Sequence, residues 1–337
     1  MRVGVDIGGT KTDAVAVTPA GTIVQQLQLP TRFGAAGVLD TATRAVVELA
    51  ALVGIEPDEF SSIGVGIPGR VEPASGRVTH AVNLGLDGLD FGGELGSFLG
   101  VQVRVENDVN AAALGVYQLL ANASTHSMAY LNLGTGLAAG LVLDGRLWRG
   151  SRGTAGEIGH IPIDPNGPLC PCGQRGCIEV LASGSAVARQ WPDSGATPVQ
   201  SLFDAAARGD VPALEVQRVL VNNIAAAVRI LVLTIDVDTV VLGGGISSLG
   251  EQLRMAVGSV LGGWAAESPF LASLDLAARV RVAPADYPSA AVGAALVGMA
   301  EEPLLRRAVA VAPSAPRPGI HGRASQGPTQ DHNSVTT

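Results

Sequence analysis

All three cysteines of the chain fall within eight residues, Cys170-Pro-Cys172-Gly-Gln-Arg-Gly-Cys177, and His160 stands ten positions before the first. Three thiolates and one imidazole complete a tetrahedral zinc site. A disulfide is a poor reading, because three is odd and two cysteines one residue apart close almost no loop. Small apolar filler is the ordinary reading of one buried cysteine, and a poor one for three in a glycine-studded loop. Four protein ligands leave no open position, so the metal is expected to be structural and not hydrolytic.

Three carboxylates are the next candidates for chemistry. Asp108 lies in Val105-Glu-Asn107-Asp108-Val-Asn110, at the end of a strand and just before a helix, where α/β sheets face their ligands. Asp in that position also serves as a helix N-cap, a role open equally to Asn107 or Asn110. A carboxylate facing a hydroxyl can act as general base in phosphoryl transfer. Glu157 and Glu179 flank the metal ligands, in Gly156-Glu157-Ile-Gly-His160 and Cys177-Ile-Glu179. They read either as acceptors for ligand hydroxyls or as solvated loop charge. Three glycine turns, Gly8-Gly9, Gly134-Thr-Gly136 and Gly243-Gly-Gly245, each follow an apolar strand. Glycine lets backbone N–H groups approach an anion, and three such turns point to a nucleotide. None has the Walker A or GxGxxG spacing.

The elements that position these residues alternate between strand and helix, the pattern of an α/β fold. Strands are predicted over Val3–Asp6, Thr12–Val17, Thr22–Leu29, Ser62–Ile67 and Val101–Val105, with helices over Val38–Val53, Gly92–Leu99 and Val109–Leu120. A second pass opens the same way, with strands Met128–Leu133 and Leu137–Leu143 around a Gly-Thr turn and a third after Asp144-Gly145. This reads as an internal duplication. Helices follow over Ser185–Gln190, Val199–Arg208, Pro212–Thr234 and Leu249–Leu261. Thr239–Leu242 and Ala277–Val282 are strands, and Ser289–Met299 is a small-residue helix. Beyond about Ala310 the chain loses apolar periodicity and is expected to be disordered.

Composition sets the outer limits. Hydrophobic residues make up 47% of the 337 and charged residues 15%, enough for a large core. A net charge of -8 argues against nucleic acid as a partner. Lys11 is the only lysine among the 22 basic residues, and it sits in a glycine turn. The apolar stretch from Ile224 to Gly245 is broken by Arg229, Asp236 and Asp238, so it reads as a buried helix and strand with no membrane partner. No signal sequence is evident at Met1, and a cytoplasmic location is expected, where thiols stay reduced.

At these residues the chain resembles the ROK family of repressors, open reading frames and sugar kinases, over about Val3 to Met299. Asp6-Ile-Gly-Gly-Thr-Lys11 resembles its phosphate motif, Glu106-Asn107-Asp108-Val-Asn110-Ala its catalytic segment, and Leu133-Gly-Thr-Gly136 its second phosphate motif. Gly156 to His160 through Cys170 to Glu179 resembles its zinc and sugar signature, and Val241-Leu-Gly-Gly-Gly245 its adenosine-side turn. The resemblance implies that Asp108 is the base acting on a sugar 6-hydroxyl. It gives sugar contacts to Gly69, Asn83, Asn107, Glu157, His160 and Glu179, with His160 also a zinc ligand beside Cys170, Cys172 and Cys177. Asp6, Gly9, Thr10, Lys11, Thr135 and Gly136 face the ATP phosphates and Mg2+, and Gly244 and Gly245 the adenosine. One departure stands out. The family continues Ile-Gly-Gly-Gly after this motif, whereas here Leu137-Ala138-Ala139-Gly140 follows, which lowers the expected phosphate contact at Ala138.

The implied fold is the actin-like ATPase fold, two RNase H-like domains with a cleft between them. The smaller comprises 1–108 with about 289–305, the larger 109–288 with the zinc loop 157–179, and 310–337 forms a disordered tail. The implied activity is ATP-dependent phosphorylation of glucose at the 6-hydroxyl, with structural Zn2+ and with Mg2+. Phosphorylation of N-acetylglucosamine or N-acetylmannosamine, or sugar sensing without catalysis, are the alternatives. Only five residues precede Asp6, so the helix-turn-helix of the family's regulators is not expected. A homodimer or homotetramer is implied.

Overall fold

Two hairpins of one design open the two halves of the chain. The computed structural model describes residues 1–120, 125–192 and 198–298, all within one compact unit. The tail expected at 310–337 lies outside the described residues, as does Met299. In the first half β1 (Arg2–Ile7), β2 (Lys11–Val17) and β3 (Ile23–Pro30) precede α1 (Ala35–Val53) and β4 (Ser62–Ile67). A small antiparallel sheet of β5 (Arg70–Glu72), β6 (Arg77–Thr79) and β7 (Leu89–Asp90) follows, then α2 (Phe91–Leu99), β8 (Val103–Asn107) and α3 (Asp108–Leu120).

The second half begins with β9 (Ser127–Leu133), β10 (Leu137–Leu143) and β11 (Arg146–Leu147). After the cysteine loop come α4 (Ile178–Ala182), α5 (Gly184–Gln190), α6 (Pro198–Ala207) and α7 (Val211–Ile235), then β12 (Thr239–Gly243), α8 (Glu251–Glu267), α9 (Pro269–Ser273), β13 (Val280–Val282) and α10 (Ser289–Val297). The first sheet runs β3-β2-β1-β4-β8 and the second β11-β10-β9-β12-β13. In each, the three opening strands are antiparallel and the last two join in parallel. That repeated order is the one expected of paired RNase H-like sheets.

Local sequence accounts for most boundaries. Helix α1 buries Val38, Leu39, Ala42, Ala45, Val46 and Leu49, a stripe at helical spacing, and Gly54 ends it in the left-handed region at φ 75°. Helix α7 starts at Asp210, whose side chain accepts the Ala213 N–H, with Pro212 in the first turn. It is long and apolar enough to cross a bilayer, but half of its most apolar window is buried in the second core, against β12 and α8. This is the buried helix followed by a strand that the sequence indicates.

Some elements differ from expectation. Residues Leu276–Arg279 form a 3-10 turn, which leaves only Val280–Val282 as strand; Asp275 enters that turn at φ 49° and breaks the extended run. Helix α8 begins later and runs longer than Leu249–Leu261, because Gly245–Leu249 forms its own 3-10 turn. Strand β8 is shifted two residues onward and ends on Asn107. The β5–β7 sheet, α4 and α9 are too short for periodicity to show.

Helix α10 returns to the first half and packs on α3, β1 and β4 through backbone contact. Added methyls at Gly4 and Gly64 would overlap the Ala291 and Ala294 carbonyls of α10, and one at Gly293 would overlap the Ala111 carbonyl of α3. Gly64→Ala is therefore expected to destabilise the protein by about 1–3 kcal/mol through overpacking, measured by urea unfolding. Unchanged stability would show that α10 can retreat freely.

Candidate functional site

The junction of β8 and α3 brings the polar segment to a point. Asn107 closes the strand and caps the helix: its Oδ1 accepts the Val109 N–H at 3.0 Å and the Asn110 N–H at 3.2 Å. Its Nδ2 donates to the Gly69 carbonyl at 3.1 Å and to Asp108 Oδ1 at 3.0 Å. The cap is thus Asn107, and Asp108 keeps an oxygen for other partners. Gly69 stands at φ 95° with its α-carbon pressed on the Thr79–Ala81 backbone, which only glycine permits. Burial raises the Asp108 pKa, opposed mainly by the Val109 N–H, while the Glu157 charge adds to the rise.

Asp108 opens on a cleft of about 830 Å³ that both sheets line. Asp6, Lys11, Gly244 and Gly245 face the same space, together with Asp13, Tyr130, Asn132, Ser247 and Ser248. Desolvation, reinforced by Asp108 and Asp13, raises the pKa of Asp6 from 3.8 to about 8. Lys11 pairs with Asp13 at 3.2 Å. In the first turn Gly8 N donates to the Lys11 carbonyl at 2.9 Å, Gly9 lies against Asn83, and exposed Thr10 offers its carbonyl to Thr31 N at 3.0 Å.

The second turn is held from behind. Gly184 N and Ser185 N, at the start of α5, donate to the Gly134 and Thr135 carbonyls at 2.8 and 3.3 Å. Glu179 Oε2 accepts the Leu137 N–H at 2.9 Å and leaves no room for a side chain at Gly136. One oxygen of Glu179 is thereby committed to the turn. Ala138 packs toward the cluster of Val109, Ala112 and Ala113, and Ala139 N donates to the Gly156 carbonyl at 2.8 Å. The methyl at Ala138 is therefore accommodated by α3.

His160, Cys170, Cys172 and Cys177 place their donor atoms within 4.8 Å of one another. Cys172 and Cys177 Sγ lie 3.7 Å apart, and Cys170 Sγ is 3.8 Å from His160 Nδ1. Tetrahedral ligands about 2.3 Å from a zinc ion lie about 3.8 Å apart, so the donor set fits that ion. The Gln174 amide, 3.5 Å from Cys172 Sγ, is the chief cause holding that thiol down to about 6, while burial pushes Cys177 up to about 12. A bound divalent cation takes all three as thiolates. His160 turns Nδ1 to the thiols, and Glu157, three residues before it, is exposed.

Several contacts of the site carry no mark in the sequence. Asn132 touches both Gly134 and Gly244 and so joins the second and third turns, and the Tyr130 ring fills the space beside Gly243. Glu106 is buried and pairs with Arg149 at 2.6 Å. The period-two pattern of β9 marks only the strand, and 43 residues separate Glu106 from Arg149.

A model of the ROK family matches residues 2–300. A glucokinase of Halalkalibacterium halodurans is 33% identical over 270 residues, covering 74% of this chain and 82% of the relative. An N-acetylmannosamine kinase of Yersinia pseudotuberculosis is 35% identical over 267 residues, covering 76% and 86%. Among solved structures, a ROK family glucokinase of Streptomyces griseus in complex with glucose and AMPPNP superposes with a TM-score of 0.73 at 30% identity, covering 88% of this chain and 98% of that one.

The site generates two expectations. Cys172→Ala is expected to lose the metal and unfold the loop, since structural zinc in small sites contributes on the order of 10 kcal/mol. Elemental analysis showing full metal content in that variant would exclude the four-ligand site. Between about pH 4 and 8 the folded protein holds a proton on Asp6 that the unfolded chain has released. Protein with zinc bound but without Mg2+ should therefore lose stability as pH rises through that window, and Asp6→Asn should flatten the slope. Parallel melting curves for the two proteins would contradict the assignment.

Proposed function

The chain belongs to the ROK family, and on that premise we propose that it transfers the γ-phosphoryl group of ATP to the 6-hydroxyl of a hexose, with glucose as the preferred acceptor. It is a phosphotransferase acting on a sugar hydroxyl, with the actin-like ATPase fold. The observation that carries the detailed reading is the capping of α3 by Asn107, which leaves Asp108 available to a cleft lined from both sheets.

In this reading Asp108 accepts the proton of the 6-hydroxyl as the oxygen attacks the γ-phosphorus, and the leaving ADP carries away the displaced charge. A base must be ionised, so the raised pKa of Asp108 places the acid limb of activity above the usual carboxylate range. Asn107, Gly69, Asn83, Glu157, His160 and Glu179 shape the sugar side. Asp6, Gly9, Thr10, Lys11, Thr135 and Gly136 serve the phosphates, and Gly244 and Gly245 the adenosine. Asp6 and Asp13 are the carboxylates suited to Mg2+, which when bound neutralises phosphate charge and favours their ionised forms. Zinc in the His160 and cysteine cluster folds the loop between Glu157 and Glu179 and takes no part in the chemistry.

The division into 1–108 with about 289–305, of which 299–305 lie outside the described residues, and 109–288 belongs to the same proposal, supported by a separate core beneath each sheet. So do a homodimer or homotetramer and a cytoplasmic location, where three thiolates stay reduced. N-acetylmannosamine is the second candidate acceptor, favoured by the relative at 35% identity.

A coupled assay of ADP release from zinc-loaded protein decides among glucose, N-acetylglucosamine, N-acetylmannosamine and fructose. Glucose is expected to give the highest kcat/KM. Faster turnover of N-acetylmannosamine would transfer the assignment, and no response to any sugar would leave a sugar-sensing protein. Asp108→Asn is expected to lower kcat by about 10²–10⁴-fold while the sugar Kd stays within about threefold. An equal loss in binding and turnover would contradict the role of base.

A further inference from the structure

Glu106 has no place in the chemistry above, yet it is the most thoroughly bonded carboxylate near the cleft. Its side chain is 3% exposed. Oε1 accepts the Asn107 backbone N–H at 3.0 Å and the Asn110 side-chain amide at 2.9 Å. Oε2 accepts from Arg149 Nε at 2.6 Å. One carboxylate thus fixes both asparagines that flank Asp108.

Its cationic partner comes from the other half of the chain. Arg149 follows β11 and opens the loop that leads to Glu157, and its own carbonyl accepts the Ala155 N–H at 3.2 Å. The far end of that loop is held on the second hairpin, where the Gly156 carbonyl accepts the Ala139 N–H at 2.8 Å, and the Glu157 charge adds to the rise of the Asp108 pKa. A buried ion pair contributes little net stability compared with apolar residues of similar size, because both charges must leave water. What such a pair supplies is a defined position for the segments it joins.

We propose that the Glu106–Arg149 pair is a positioning tether that holds the loop 150–157 in register with the Asn107–Asp108 turn, so that the groups binding the sugar and the base acting on it keep a fixed separation. The proposal deepens the kinase reading and rests on it for its kinetic consequence. Neither residue touches the reacting atoms. Their effect passes through Asn107, Asn110 and the loop, and a displacement of about 1 Å there is enough to cost up to 10²-fold in rate.

The test compares the parent with Arg149→Met, Glu106→Gln, the double variant Glu106→Gln/Arg149→Met, and Arg149→Lys. Arg149→Met strands a buried carboxylate and should melt early, while the double variant, with no charge stranded at position 106, should recover most of the parental Tm. For a tether, that recovered protein still shows a sugar KM raised about tenfold or more with the ATP KM within about twofold, and Arg149→Lys recovers part of the loss. Hydrogen exchange of the 150–157 amides also rises about tenfold while α7 keeps its protection. A double variant with parental sugar KM, or with parental exchange in 150–157, overturns the proposal and leaves a simple brace. If the double variant does not fold, Arg149→Lys is read by the same two measurements. A parent that phosphorylates no hexose sinks the kinase reading instead, and loop exchange then decides the tether by itself.

Discussion

The site depends on a single amide side chain. Asn107 supplies the oxygen that caps α3, with bonds of 3.0 and 3.2 Å, and the nitrogen that ties this cap to Gly69 across the sheet. A helix start leaves unsatisfied N–H groups, and an aspartate at that point would ordinarily turn back to meet them. Asp108 does accept the Val109 N–H, at 3.0 Å, but shares it with Asn107. The division of labour lets an acidic residue stand at a helix N-terminus and still present an oxygen to the cleft.

Around that point the two halves are fastened by different means. Helix α10 meets β1, β4 and α3 through glycine contacts so close that no side chain fits between them. Glu179 braces the second turn from the cysteine loop, and Glu106 reaches Arg149 from β8. The loop from Glu157 to Glu179 is too rich in glycine and proline to pack a core of its own, and in the proposed reading a metal held by His160 and the three cysteines supplies the cross-link that a hydrophobic cluster would otherwise provide. The cysteine cluster and Asp108 are remote in sequence, and the Glu157 charge adds to the rise of the Asp108 pKa.

Local features were legible in the sequence. The cysteine cluster, the three glycine turns and the strand-turn-strand openings are short patterns whose chemistry is complete within a dozen residues; the α/β class and the duplication followed from them, while the actin-like fold came from the family resemblance. Pairings across long separations were not. Nothing in Trp148-Arg149-Gly150 marks a partner for Glu106, and Asn132 looks like any polar residue in a half-buried strand. Whether Asn107, Asp108 or Asn110 capped α3 was undecidable from residue types, since all three are good caps; the geometry selects Asn107. The run Ala277–Val282 misled because a short stretch carries no clear period, and Asp275 in a left-handed conformation starts a turn there.

The account turns on where the sugar's 6-hydroxyl lies relative to Asp108. A crystal structure of the zinc-loaded protein with glucose and a non-hydrolysable ATP analogue measures that directly. The prediction is an O6 atom within about 2.6–3.2 Å of an Asp108 carboxylate oxygen, with Asn107 still capping α3. A sugar bound with O6 turned away from Asp108, or an Asp108 carboxylate folded back as the sole cap of the helix, would contradict it.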